Sequence, residues 1–125
     1  MSRNSEPRPT MTIDFKKNRI RIYKKTFHSI DNPEYILLLI NPEEQSMVIL
    51  RSDRSDLRAH RFPKIRFESK QSFEITSKSL VRKLFDMCND WEDKCLYHVH
   101  GEVISSEGVV KFNLAESVQA YGTRG

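Results

Sequence analysis

Apolar and polar residues alternate along most of this chain, in runs of about five, which is the period of short strands half-buried against a core. Met11–Phe15 puts Ile13 and Phe15 on one side and Thr12 and Asp14 on the other. Lys16–Asn18 reads as a turn and Arg19–Tyr23 as a second strand, with Ile20 and Ile22 facing inward. In the following KKTFHSI run, Phe27 and Ile30 stand three apart, predicting one or two helical turns. Asp31-Asn32-Pro33 ends them, because Pro33 disfavours helix at Asn32. Glu34–Ile40 is nearly all apolar and predicts a strand buried on both faces. Asn41–Gln45 turns the chain, and Ser46–Leu50 returns as the other arm of a hairpin.

Arg51–Phe62 breaks the pattern. Arg51, Arg54, Arg58 and Arg61 fall near helical spacing, but Asp53 and Asp56 neutralise part of their charge, and a solvated linker is favoured over a second anion-binding stripe. Pro63 opens a new unit, with strands at Lys64–Glu68 and Ser72–Ile75. Ser77 is an N-cap for a helix from Lys78 to Met87, whose apolar face is Leu80, Val81, Leu84, Phe85 and Cys88. Asn89–Lys94 is a polar loop carrying Trp91. Cys95–Ile104 is a long strand, Ser105–Gly108 a turn, and Val109–Leu114 the returning strand.

The two halves repeat this order and its apolar phase. Ile13-x-Phe15 matches Ile65-x-Phe67, Ile20-x-Ile22 matches Phe73-x-Ile75, and Lys25-Thr26-Phe27 matches Lys78-Ser79-Leu80. A unit of about 40 residues buries too little surface to stand alone. Two of them can share one core by interleaving their strands, which removes exposed edges. The expected fold is therefore mainly β with short helices (α+β), two β-β-α-β-β repeats closing a pseudo-twofold swapped-hairpin barrel. The expected organisation is a single domain over 11–114, with repeats 11–50 and 63–114 joined by linker 51–62. Residues 1–10 and 115–125 are expected as tails.

Composition adds a partner class. At 38% apolar and 30% charged, the 125 residues suit a folded chain with a modest core. No apolar run nears the roughly 20 residues that cross a bilayer, and the first ten residues lack a signal-peptide core, so a cytoplasmic protein with no membrane partner is expected. Two cysteines make no disulfide framework and fit a reducing compartment. The net charge of +4 is uneven: residues 1–66 hold 14 Lys/Arg against 8 Asp/Glu, whereas 67–125 hold 7 against 9. Six of the basic residues fall within 16–25, which suits either a basic face for an anionic partner or a charged edge strand kept soluble by its Lys/Arg.

Asn18-Arg19-Ile20-Arg21-Ile22, a short helix, Tyr35–Ile40, Asn41-Pro42-Glu43 and Met47-Val48-Ile49 together resemble the half-barrel of the AbrB/SpoVT/MraZ swapped-hairpin superfamily. Tandem halves in one chain are similar to MraZ, and the likeness spans roughly residues 11–114. Asn18 stands where that pattern has Gly, Tyr23 where it has Pro, and Glu74 occupies the second half's arginine position. The resemblance implies a DNA-binding transcriptional regulator and an oligomer, contacting double-stranded DNA through Lys16, Lys17, Arg19, Arg21, Lys24 and Lys25. Such contacts would neutralise phosphates and release counterions. The alternative is a protein–protein assembly module on the same scaffold, motivated by the apolar strand Tyr35–Ile40 and the helix around Leu80–Phe85.

Cys88, Cys95, His98 and His100 are the other chemistry-bearing group. Their spacing is looser than zinc motifs use, and the apolar phase of both cysteines assigns them to the core. No metal or cofactor is expected. The sequence carries no phosphate-cradling glycine loop, no G-x-S-x-G and no H-E-x-x-H, and an enzyme is not expected.

Overall fold

A computed structural model describes residues 8–62, 72–88 and 91–120. The elements run β1 Thr10–Asp14, β2 Arg19–Tyr23, α1 Lys24–Ser29, β3 Tyr35–Asn41, β4 Ser46–Ser52, β5 His60–Arg61, β6 Ser72–Thr76, α2 Lys78–Met87, β7 Leu96–Ile104, β8 Val109–Asn113 and β9 Val118–Gln119, with a 3-10 turn at Leu114–Glu116. The protein is mainly β, with two short helices and an antiparallel sheet curved into a half-barrel. The expected strand Lys64–Glu68 lies outside the described residues.

Three hairpins share one turn design. Asp14 pairs with Arg19, Asn41 with Ser46 and Ile104 with Val109, so each loop holds four residues. The fourth residue of each is left-handed: Asn18 at φ 53°, Gln45 at 51° and Gly108 at 66°. Asparagine enters that region more readily than most side chains, which explains how Asn18 serves where glycine is usual. Asp14 and Asn41 fix their own turns by accepting two backbone N–H groups each, from Lys16 and Lys17 and from Glu43 and Glu44.

These hairpins do not pair in chain order. The sheet runs β5-β3-β4-β8-β7-β1-β2-β6, with β9 added to β7, so hairpins from the first and second halves of the chain alternate. β7 holds the two sides together. Its first five residues pair with β1 and its last four with β8. The change of partner falls at Gly101, whose N–H donates to the Pro9 carbonyl at 2.7 Å. A Cβ there would lie 2.7 Å from the Phe112 ring and 2.8 Å from Val110 Cγ1, so the fold needs glycine at this point.

The core fills the concave side. Ile13, Ile20, Ile22, Ile36, Met47, Ile49, Val99, Val110 and Phe112 line it, and α1 and α2 close it with Phe27, Val81 and Leu84. Aromatic rings cluster at two points. Phe27, Phe62 and Phe73 meet edge to face at 5.0–5.4 Å between centroids, and Phe15 meets Phe85, Trp91 and Tyr97 at 5.1–5.8 Å. As expected, Ser77 caps α2, its hydroxyl accepting from Leu80 N–H.

Four expectations need correction. β3 is not buried on both faces along its length, because Leu39 is 42% exposed. Residues 51–62 are not wholly a linker: Arg51 and Ser52 finish β4, and His60 and Arg61 add a strand to β3. Residues 115–120 are not a loose tail, since Val118 and Gln119 pair with β7. Trp91 is buried, its indole N–H donating to Ser117 Oγ at 2.7 Å, which anchors that segment.

Candidate anion-binding cleft

With Ile13, Ile20 and Ile22 turned into the core, strand alternation sends Thr12, Asp14, Arg19, Arg21 and Tyr23 to the outer face. The β1–β7 register sets His98 opposite Thr12 and Leu96 opposite Asp14. These side chains floor a cleft of about 350 Å³, and Lys16, Lys17 and Lys94 reach it from two loops. Among the described residues that line it, five cations share the concavity with one carboxylate, Asp14, whose Oδ2 lies 3.9 Å from Arg19 Nε.

Each loop lysine is placed by a specific contact. Asp14 Oδ1 accepts the Lys16 and Lys17 N–H groups at 2.9 and 3.0 Å, so that turn is fixed while both ammonium groups extend. Lys94 is left-handed at φ 66°, a conformation that costs a residue with a Cβ about 1–2 kcal/mol. Its loop is held by Asp93, which receives Arg82 at 3.0 and 3.2 Å, and Arg82 also donates to the Phe15 carbonyl at 3.0 Å. The pair with Arg82 holds the Asp93 carboxyl below its ordinary pKa.

The arginines are tethered. Arg21 donates to Glu74 Oε2 through Nη2 at 2.6 Å and Nε at 3.0 Å, and Arg19 donates to Oε1 of the same carboxylate at 3.2 Å. Arg21 and Glu74 are direct cross-strand partners on β2 and β6. The Glu74 hydrogen bond raises the Arg21 pKa, so the guanidinium stays charged while a carboxylate occupies its donors. An anion arriving in the cleft meets three lysines directly and competes with Glu74 for the arginines.

A row of hydrogen bonds crosses the floor. Thr12 Oγ1 donates to Tyr23 Oη at 3.3 Å and lies 2.9 Å from His98 Nδ1. A hydroxyl has one proton, so donating it to Tyr23 leaves its oxygen to accept from His98 Nδ1–H. One register step along, Thr10 Oγ1 lies 3.1 Å from His100 Nδ1. There a second cleft of about 550 Å³ adjoins the first, sharing Tyr23 and His98 and taking in Arg8, Lys25, His100 and Val118.

Of the six basic residues singled out by sequence, Lys16, Lys17, Arg19 and Arg21 line the first cleft, Lys25 lines the second and Lys24 lines neither. Lys24 and Lys25 open α1, which has no side-chain cap and no acidic residue in its first turn. Cations there oppose the helix dipole, so they do not serve the helix. Sequence reasoning missed Lys94, Thr12, Tyr23 and the role of His98, all brought in by the β1–β7 register. His98 and His100 do share a face of β7, as alternation predicts. Cys88 is buried in the core, while Cys95 lies near Glu92 and Gln119. Among the described residues, no three His, Cys, Asp or Glu side chains are grouped to hold a metal ion. No described helix is long and apolar enough to cross a membrane.

No protein-family model, curated protein or solved structure matches this chain. Five long cationic side chains, a tyrosine, a threonine and an imidazole favour an anion with several negative centres over a single carboxylate.

Proposed function

We propose that this protein binds nucleic acid through its phosphate backbone, as a DNA-binding regulator whose contact surface is the cleft on the outer face of β2, β1 and β7. The observation that carries the reading is the convergence of Lys16, Lys17, Arg19, Arg21 and Lys94 on one concavity. Loop lysines on the rim act as mobile point charges, and planar guanidinium groups on the floor match a phosphate's paired oxygens. Catalysis has no part in this account.

The same reading treats the chain as two related β-β-α-β-β units of swapped-hairpin type. The β2–β6 pairing supports it: Ile20 pairs with Ile75 and Ile22 with Phe73, symmetrically about Arg21–Glu74. Under the sequence match of Ile20 to Phe73 and Ile22 to Ile75, a pseudo-twofold axis exchanges these two pairs. Arg21 and Glu74 then occupy equivalent positions, one unit's arginine held by the other's glutamate.

Fluorescence anisotropy with a labelled DNA duplex across a salt series tests the function. Each phosphate neutralised contributes about −0.9 to the slope of log K against log salt. Lys16→Ala/Lys17→Ala/Lys94→Ala is expected to weaken binding and flatten that slope by up to about 2.7. Binding that ignores both salt and these substitutions would refute the reading.

One observation favours a second reading, an assembly module. Ile104, Val109, Leu50 and Leu37 are successive cross-strand partners, forming an apolar row on the outer face of β7, β8, β4 and β3. Leu37 and Val109 are buried yet stand outside the core cluster. Analytical ultracentrifugation of the protein alone tests this. Concentration-dependent association lost in Leu39→Lys/Val48→Lys supports it, and a monomer at every concentration counts against it.

A further inference from the structure

The second cleft adjoins the first across Tyr23 and His98, and the two differ in chemistry. The first is lined by lysines and arginines. The second sets Tyr23, His98 and His100 around a space of about 550 Å³, with Val118 on its wall and Arg8 and Lys25 as its cations. Both histidines are fixed in orientation, because Thr12 and Thr10 engage their Nδ1 atoms at 2.9 and 3.1 Å. Tyr23 is likewise anchored through its hydroxyl, which accepts from Thr12. Three planar rings held by hydrogen bonds beside a phosphate-binding cleft make a stacking platform, since every base has a π-face and an aromatic side chain can take any of them.

We infer that the second cleft is a nucleobase pocket, and that the preferred ligand is an unpaired strand with phosphates in the first cleft and a base in the second. A paired base is stacked inside its duplex and enters such a pocket only if it is flipped out, at the cost of its pairing and stacking. An unpaired base enters without that cost. The Nε2 atoms of His98 and His100 meet its polar edge, while Arg8 and Lys25 take the next phosphate along. This assignment rests on the nucleic-acid reading of the first cleft and adds the strandedness of the ligand.

The test compares a fluorescein-labelled oligothymidylate with a blunt duplex of equal length, by anisotropy at one salt concentration. The single strand is expected to bind about tenfold more tightly, within the usual worth of stacking one base on an aromatic ring. His100→Ala, at a residue that lines the second cleft and not the first, is expected to remove that preference while leaving duplex binding unchanged. His100 is exposed, so its variant is expected to keep the fold. Equal affinity for the two oligonucleotides, or a preference that survives His100→Ala, would overturn the pocket while the phosphate cleft stands. Failure of both oligonucleotides to bind would overturn the phosphate cleft, and the pocket with it.

Discussion

Glu74→Gln should strengthen nucleic-acid binding, because it removes the one carboxylate that holds both cleft arginines. Glu74 receives Arg21 at 2.6 and 3.0 Å and Arg19 at 3.2 Å, and the side chains involved are 27–38% exposed. Partly exposed pairs of this kind contribute little to folding, at most about 1 kcal/mol after solvent screening, so the variant should remain folded. The effect on a ligand is larger. A unit charge about 6 Å from a bound phosphate, at an effective dielectric of about 40–80, is worth about 0.7–1.4 kcal/mol. Its removal should lower Kd about three- to tenfold at low salt. The gain should shrink as ionic strength rises and the Debye length falls below about 10 Å. If both guanidinium groups then engage phosphates, the salt slope steepens by up to about 1.8. Anisotropy titrations at several salt concentrations, with a thermal melt of each protein, measure both quantities. A folded Glu74→Gln protein that binds no tighter than the wild type would refute the idea that Glu74 competes with the ligand.

Three further outcomes follow from particular contacts. Gly101→Ala drives a methyl group to within 2.7 Å of the Phe112 ring at the point where β7 changes partners, and should cost about 1–3 kcal/mol, read as a lower urea midpoint; an unchanged midpoint would contradict the assigned packing. Lys94→Gly should separate stability from binding, relieving up to about 1 kcal/mol of left-handed strain while weakening nucleic-acid affinity, so loss or retention of both together would count against the role given to Lys94. Burial lowers the His60 pKa below its ordinary 6.5, so the unfolded chain takes up that proton first and stability falls as pH drops below about 6.5. His60→Gln should flatten the decline between about pH 7.5 and 5.5, where carboxylates contribute least, as followed by urea denaturation at each pH.

Much of the fold was legible because short alternating runs leave little choice of element. Ile20 and Ile22 could only be one face of a strand, and Ser77 followed by Leu80, Val81 and Leu84 announced a capped helix. The turn over Lys16–Asn18 was legible, but its left-handed residue was not, since Asn18 adopts that backbone without being glycine. β9 and β5 are two residues each and carry no period to detect. They exist because β7 and β3 offer edges nearby. The candidate site was half legible for a similar reason. Lys16, Lys17, Arg19 and Arg21 are neighbours along the chain, so their clustering shows in sequence. Lys94, His98 and Thr12 meet them through a register between strands more than 80 residues apart, which no local pattern encodes. Glu74 shows the limit most clearly. In the sequence it stands only as a missing arginine, whereas in the fold it is the direct partner of Arg21.

The central claim, that phosphates are bound in the cleft between the β1–β2 turn and the start of β7, is tested most directly by titrating ¹⁵N-labelled protein with a short oligonucleotide and following backbone amide shifts. Salt-sensitive perturbations are expected to concentrate at Lys16, Lys17, Arg19, Arg21, Lys94 and His98, with Leu37, Leu39 and Val48 on the opposite end of the sheet unmoved. Perturbations confined to that apolar face, or none at saturating oligonucleotide, would contradict it.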